Sequence, residues 1–125
     1  MINILVVEDD LKLNQIVCTH LNDNGYKATG CLNAQEAYEA MYNSLFDLII
    51  SDIMMPEMNG YEILEKIRSK PEYADIYIII LSSKSDVADR IQGIKAGADD
   101  YITKPFAIGE AIARVEMIMR RSKYY

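Results

Sequence analysis

The sequence predicts an α/β fold, a doubly wound parallel sheet of five strands with helices on both faces. Two runs, INILVV at residues 2–7 and IYIIIL at 76–81, are too short for helices and apolar on both faces, as strands buried on both sides are. Such runs alternate with segments of helical period, and five alternations imply right-handed crossovers and a parallel sheet. Polar residues stand where the strands end: Glu8 and Asp9 after the first, Asp52 after FDLIIS, Ser82 after IYIIIL and Lys104 after Tyr101-Ile-Thr. Open α/β sheets bind ligands at that edge, where the winding reverses.

The elements follow in order. After the first strand, Leu11, Leu13, Ile16, Val17 and Leu21 recur at helical spacing over residues 11–24, with Asp10 as the helix cap and Asn24-Gly25 as a left-handed stop. Residues 26–30 read as a short second strand and 34–43 as a helix. Residues 46–51 give the third strand, and 61–69 a helix ended near Pro71. The fourth strand covers 76–81, and the helix after it runs from about Asp86 to Ala96, where Gly97 stops it. Residues 101–103 make the fifth strand and 108–121 the last helix.

A chain of 125 residues fits one domain spanning 1–125, which at this size buries roughly two thirds of its unfolded surface. Any output domain would lie outside this chain. With 19 acidic against 13 basic residues, the surplus disfavours direct binding of nucleic acid. Cys18 and Cys31 stand in no metal-ligand spacing and His20 is alone, so zinc is excluded and reduced, packing thiols are expected. No leader is recognisable, and no apolar run approaches the ~20 residues of a spanning helix. A cytoplasmic protein without membrane contact is therefore expected.

The strand-end residues carry the chemistry. In a 2-1-3-4-5 order the first and third strands are neighbours, so Glu8, Asp9 and Asp52 would stand side by side. Two like charges about 4 Å apart cost on the order of 4 kcal/mol at an effective dielectric near 20, unless a proton or cation relieves them. A hard divalent ion suits such a site. Mg²⁺ takes one or two carboxylates, waters and a phosphate oxygen, with Mn²⁺ as a substitute. Lys104 and Ser82 supply the ammonium and hydroxyl that neutralise phosphoryl oxygens in an in-line transfer. Asp52 is then the nucleophile, forming an acyl phosphate. The chain has no Gly-rich P-loop, so the phosphoryl group has to come from a donor other than ATP bound here.

The same residues carry a family resemblance. The blocks VVEDD (6–10), DLIISDIMMPEMNGYE (47–62), ILSS (80–83) and GADDYITKPF (97–106) resemble, in order and spacing, those of the response regulator receiver domain of two-component systems. The resemblance spans the chain and implies a flavodoxin-like sheet in the order 2-1-3-4-5. It implies that Asp52 accepts a phosphoryl group from the phosphohistidine of a sensor histidine kinase. It also implies that Asp9, Asp52 and the backbone carbonyl of Met54 ligate Mg²⁺, with Glu8 acting through water. Ser82 and Lys104 would contact the phosphoryl oxygens beside the backbone N–H groups of Met54 and Ser83. Lys104-Pro105 would be a cis peptide. Ser82 and Tyr101 would form the switch, the ring turning inward as the hydroxyl moves toward Asp52. The face of the fourth helix, fifth strand and last helix then changes shape and controls an output, in this family commonly transcription.

In the last helix, Ala111, Val115 and Ile118 form a core-facing row. Ile112 falls outside it and, with Ile91 and Ile94, reads as an exposed apolar patch ringed by Arg90, Asp100, Glu110 and Arg114. GADDYITKPF most resembles the winged-helix OmpR/PhoB subgroup, which implies a homodimer through this face on phosphorylation. Two departures qualify the resemblance. Ser82 stands where threonine is more usual, and Met54 sets an apolar residue two positions after Asp52, where it would impede attacking water. Among alternatives, a stand-alone regulator or phosphorelay shuttle shares all these residues. A haloacid dehalogenase-type phosphatase needs an acid at position 54, and a flavin binder needs a hydroxyl-rich loop where Glu8-Asp9-Asp10 would repel phosphate.

Overall fold

A computed structural model of the chain describes residues 1–55, 58–83 and 87–121, with the backbone alone at 54, 55, 58–61 and 87. Strands β1 (Asn3–Val7), β2 (Lys27–Cys31), β3 (Leu48–Asp52), β4 (Tyr77–Ser82) and β5 (Asp100–Thr103) form one parallel sheet in the order β2-β1-β3-β4-β5. Helices α1 (Leu11–Asp23), α2 (Ala34–Asn43), α3 (Gly60–Ser69), α4 (Val87–Lys95) and α5 (Ile108–Arg121) connect or follow the strands. The expected fold class is the observed one.

Strands β2 and β4 begin and end one residue later than the sequence pattern predicts, and β3 is shifted by one to two. At β2 the cause is local. The Tyr26 amide donates to Leu21 O at 3.1 Å, completing the end of α1, and the strand begins only where Lys27 N donates to Ile2 O at 2.9 Å. Two elements carry no periodic signal and were not anticipated: a small hairpin pairing Met54–Met55 with Met58–Asn59, and a 3₁₀ turn at Pro71–Tyr73.

Because side chains alternate across a strand, the apolar runs feed two cores. Leu5, Val7, Ile49, Ile78, Ile80 and Tyr101 face one side with Ile63, Leu64 and Ile67 of α3. Ile4, Val6, Leu48, Ile50, Ile79, Leu81 and Ile102 face the other, under α1 and α5. Each fully buried aliphatic side chain contributes about 1.5–3 kcal/mol, so the sheet's backbone position is firmly fixed.

The stripe of α5 is wider than predicted. Ile112 is 9% exposed and packs in the second core with Ala111, Val115, Ile118 and Met119, so it belongs to no exposed patch. A helix lying on a sheet and beside another helix buries a face broad enough to include adjacent positions such as 111 and 112, which a single row of three does not capture. In α1 the error runs the other way: Leu11 and Ile16 are 56% and 41% exposed, while Asn14, Val17 and Leu21 face inward.

Local stops act as expected. Asp10 Oδ1 accepts from Leu13 N at 3.1 Å, and Gly25 and Gly97 take φ of 90° and 111°. Arg68, near the end of α3, donates to the carbonyls of Ala74 and Ile76 and, at 2.6 Å, to that of Gly97. One guanidinium thus ties α3 to the start of β4 and to the turn before β5.

Candidate functional site

The sheet register builds the site. Val7 lies opposite Cys31 on one side and Ser51 on the other, Asp52 opposite Leu81, and Ser82 opposite Thr103. The residues that follow β1, end β3 and β4 and follow β5 therefore emerge together at the carboxyl edge. Carboxylate oxygens of Glu8, Asp9 and Asp52 lie within 4.8 Å of one another. Glu8 is fully buried and Asp52 is 4% exposed, whereas Asp9 is open to solvent.

Lys104 reaches into this group from just beyond β5. Its Nζ lies 2.8 Å from Asp52 Oδ2 and also pairs with Glu8 Oε1. The second Glu8 oxygen accepts from the Asp10 amide at 3.1 Å. Among the described residues, three carboxylates against one ammonium leave an excess of negative charge, and an all-oxygen donor set of this kind suits a hard divalent cation. Ser82 ends β4, wholly buried, and its carbonyl accepts from Lys104 N at 2.7 Å, which fixes the two residues relative to each other. Ser83 follows at the surface, and the Met54 backbone lies in the hairpin two residues after Asp52. The Met54 side chain, Lys84 and Asp86 lie outside the described residues. The Lys104-Pro105 peptide is cis.

Burial pushes the Glu8 carboxyl up to about 7, against the opposing pull of Lys104 and the Asp10 amide and with a smaller push from the Asp52 charge. Burial alone would lower the Lys104 ammonium, but hydrogen bonds and charges from Asp52 and Glu8 outweigh it and hold the group above its ordinary value. Lys104 therefore keeps its charge, and burial makes ionisation of Glu8 costly.

Asn14 is the site-supporting residue that the sequence pattern hid. It is 4% exposed, and its Nδ2 donates to Cys31 O at 2.9 Å and to Glu8 O at 3.1 Å, bridging the ends of β2 and β1 directly beneath the acidic pair. A Cβ at Gly30 would lie 2.2 Å from Asn14 Oδ1, so only glycine leaves room for the amide. The available signal was a polar residue one turn before Val17 and two turns before Leu21 on the inner stripe.

On the neighbouring face, Tyr101 is 4% exposed, and Arg90 sets its guanidinium carbon 5.9 Å from the ring centre. Arg114 pairs with Asp100 at 2.8 Å and Glu110 at 3.2 Å. Ile91 and Ile94 are 47% and 58% exposed. Of the three apolar residues expected to be exposed here, Ile91 and Ile94 are and Ile112 is not. Among the described residues no helix is long and apolar enough to cross a membrane.

Residues 4–116 match the response regulator receiver domain family. The chain is 39% identical over 95% of its length to the probable transcriptional regulator ycf27 of Cyanidium caldarium, covering 47% of that protein. It is 36% identical over 98% of its length to the response regulator MprA of Mycobacterium ulcerans, covering 52% of it. The chain thus spans about half the length of these curated relatives. Among solved structures, the receiver domain of a Francisella response regulator superposes with a TM-score of 0.89 at 35% identity, covering 98% of this chain and 100% of that one. DrrB of Thermotoga maritima, described as an OmpR/PhoB homologue, gives 0.88 at 32% identity over 98% of this chain and 54% of its own.

Proposed function

The chain belongs to the response regulator receiver domain family, and on that premise we propose that Asp52 is its phosphoacceptor, serving a sensor histidine kinase. The observation that carries this is the Lys104 ammonium 2.8 Å from Asp52 Oδ2 inside a trio of carboxylates. A carboxylate oxygen of Asp52 attacks the phosphorus of the donor's phosphohistidine. An O–P bond forms as the N–P bond breaks, and the ring nitrogen leaves with its electron pair. Mg²⁺ held by Asp9, Asp52 and the Met54 carbonyl, with Glu8 behind them, would neutralise the phosphoryl oxygens. Mn²⁺ would serve in its place. Lys104, Ser82 and the Met54 and Ser83 amides hold the transferred group, and slow attack by water on the acyl phosphate resets the domain.

Phosphorylation biases the packing of Ser82 and Tyr101 and so the outer face of α4, β5 and α5. Ile91 and Ile94, with Arg90, Asp100, Glu110 and Arg114 around them, then form a homodimer face. The chain acts as the single receiver domain of a cytoplasmic regulator whose output, transcription, resides in a separate DNA-binding domain.

The test is Mg²⁺-dependent phosphorylation by acetyl phosphate, read by intact mass on the wild type and Asp52→Ala. One added phosphoryl group that requires Mg²⁺ and is absent from the variant is the expected result. Incorporation that persists in Asp52→Ala would refute the assignment. A wild type that binds Mg²⁺ but takes up phosphate from neither acetyl phosphate nor a cognate kinase would refute it too.

A further inference from the structure

Gly93 lies on the inner side of α4, buried, two residues before the helix ends at Lys95. Glycine inside a helix costs about 1 kcal/mol relative to alanine. The backbone here is helical and makes no demand for glycine, so the reason for it is space. A Cβ at position 93 would lie 2.9 Å from Ile80 Cδ1 and 3.1 and 3.2 Å from Cδ2 and Cε2 of Tyr101. Arg90, nearly one turn earlier on the same helix, contacts the Tyr101 ring as a cation. The ring is thus held between an arginine and a notch.

We propose that Gly93 is a positioning residue of the switch, the notch that admits Tyr101 in its inward position and so couples α4 to the phosphoryl site; the coupling rests on the reading of Asp52 given above. The two side chains a methyl would meet lie on the two strands that end in the proposed phosphoryl contacts. Ile80 is two residues before Ser82, and Tyr101 three before Lys104. Ile80 is fully buried in the first core, so any shift of its Cδ1 presses on close-packed neighbours. Tyr101 lies on β5, the edge strand, with no further strand beyond it. A methyl at position 93 therefore displaces the ring outward in preference to the aliphatic chain.

The experiment is Gly93→Ala with two readouts: nuclear Overhauser contacts between the Tyr101 ring and the Ile80 methyls in the phosphate-free protein, and the affinity for beryllofluoride with Mg²⁺. The ring contacts are expected to weaken and beryllofluoride to bind about tenfold more weakly, within the usual range of coupling between linked sites. In a Tyr101→Ala background the same methyl is expected to cost nothing further. Unchanged ring contacts, an affinity within about twofold of wild type, or an equal loss without the ring would each overturn the proposal. If Gly93→Ala folds poorly, Ile80→Val added to it removes the 2.9 Å contact, leaves the new methyl against Cδ2 and Cε2 of Tyr101 and is expected to show the same outward ring. A wild type that takes up no beryllofluoride would refute the reading of Asp52 and the coupling with it, while the ring contacts would still decide whether Gly93 seats Tyr101.

Discussion

Lys104 Nζ stands 2.8 Å from Asp52 Oδ2 and, although the two residues are 52 positions apart, it is the cation that makes a buried carboxylate at the end of β3 tolerable. The same ammonium also serves the fully buried Glu8. Among the described residues this one cation is shared between two acids, and burial still raises the Glu8 carboxyl.

Glu8 titrates near 7 in the folded chain, against an ordinary value of 4.5. A raised carboxyl means that the folded state binds the extra proton between those values. The contribution of Glu8 to stability is therefore greatest below about 4.5 and falls as pH rises through 7. The full effect is about 3 kcal/mol as an upper figure. Urea midpoints in EDTA should drop more steeply between pH 5 and 8 in the wild type than in Glu8→Gln, and Mg²⁺ should offset the drop. Parallel pH profiles would contradict this.

Replacing Asn14 by alanine leaves the carbonyls of Cys31 and Glu8 without the donor that joins them. The expected loss is about 1–3 kcal/mol of stability, with weaker Mg²⁺ binding because the chain carrying Glu8 and Asp9 is no longer anchored. Denaturation and Mg²⁺ titration together check both effects. Unchanged metal affinity would confine Asn14 to a stability role.

Arg68→Lys is not expected to rescue Arg68→Ala. A planar fork is needed to reach the Ala74, Ile76 and Gly97 carbonyls at once, and an ammonium on a flexible stem cannot replace it. Both variants should lose roughly 1–3 kcal/mol, with amide exchange rising first in the turn before β5. Thermal melts and hydrogen exchange decide it.

Burial pushes the Cys31 thiol up to about 11 and raises Cys18 as well. The reactive thiolate is thereby suppressed in the folded chain. Modification of Cys31 by a thiol reagent at pH 8 should follow the rate of unfolding and not the reagent concentration.

Ile94→Glu adds a charge to a residue that is 58% exposed. Phosphorylation should be unaffected and the phosphorylated chain should sediment as a monomer. A dimer that survives this change would place the interface elsewhere.

The sheet was legible in the amino-acid order, because short runs such as INILVV are apolar on both faces and a signal of that kind needs no knowledge of neighbours. So was the composition of the site, since an ordered set of strand ends carries Glu8, Asp9, Asp52, Ser82 and Lys104 to one edge. The tertiary structure alone decided what depends on contact. Asn14 became a bridge because β1 and β2 end side by side above it, and Gly30 mattered because it makes room for that amide. Ile112 turned inward because α5 covers a broader face than one row of its own sequence reveals. Gly93 reads in sequence as a weak point in a helix, and only the ring of Tyr101 lying against it gives the missing side chain a purpose.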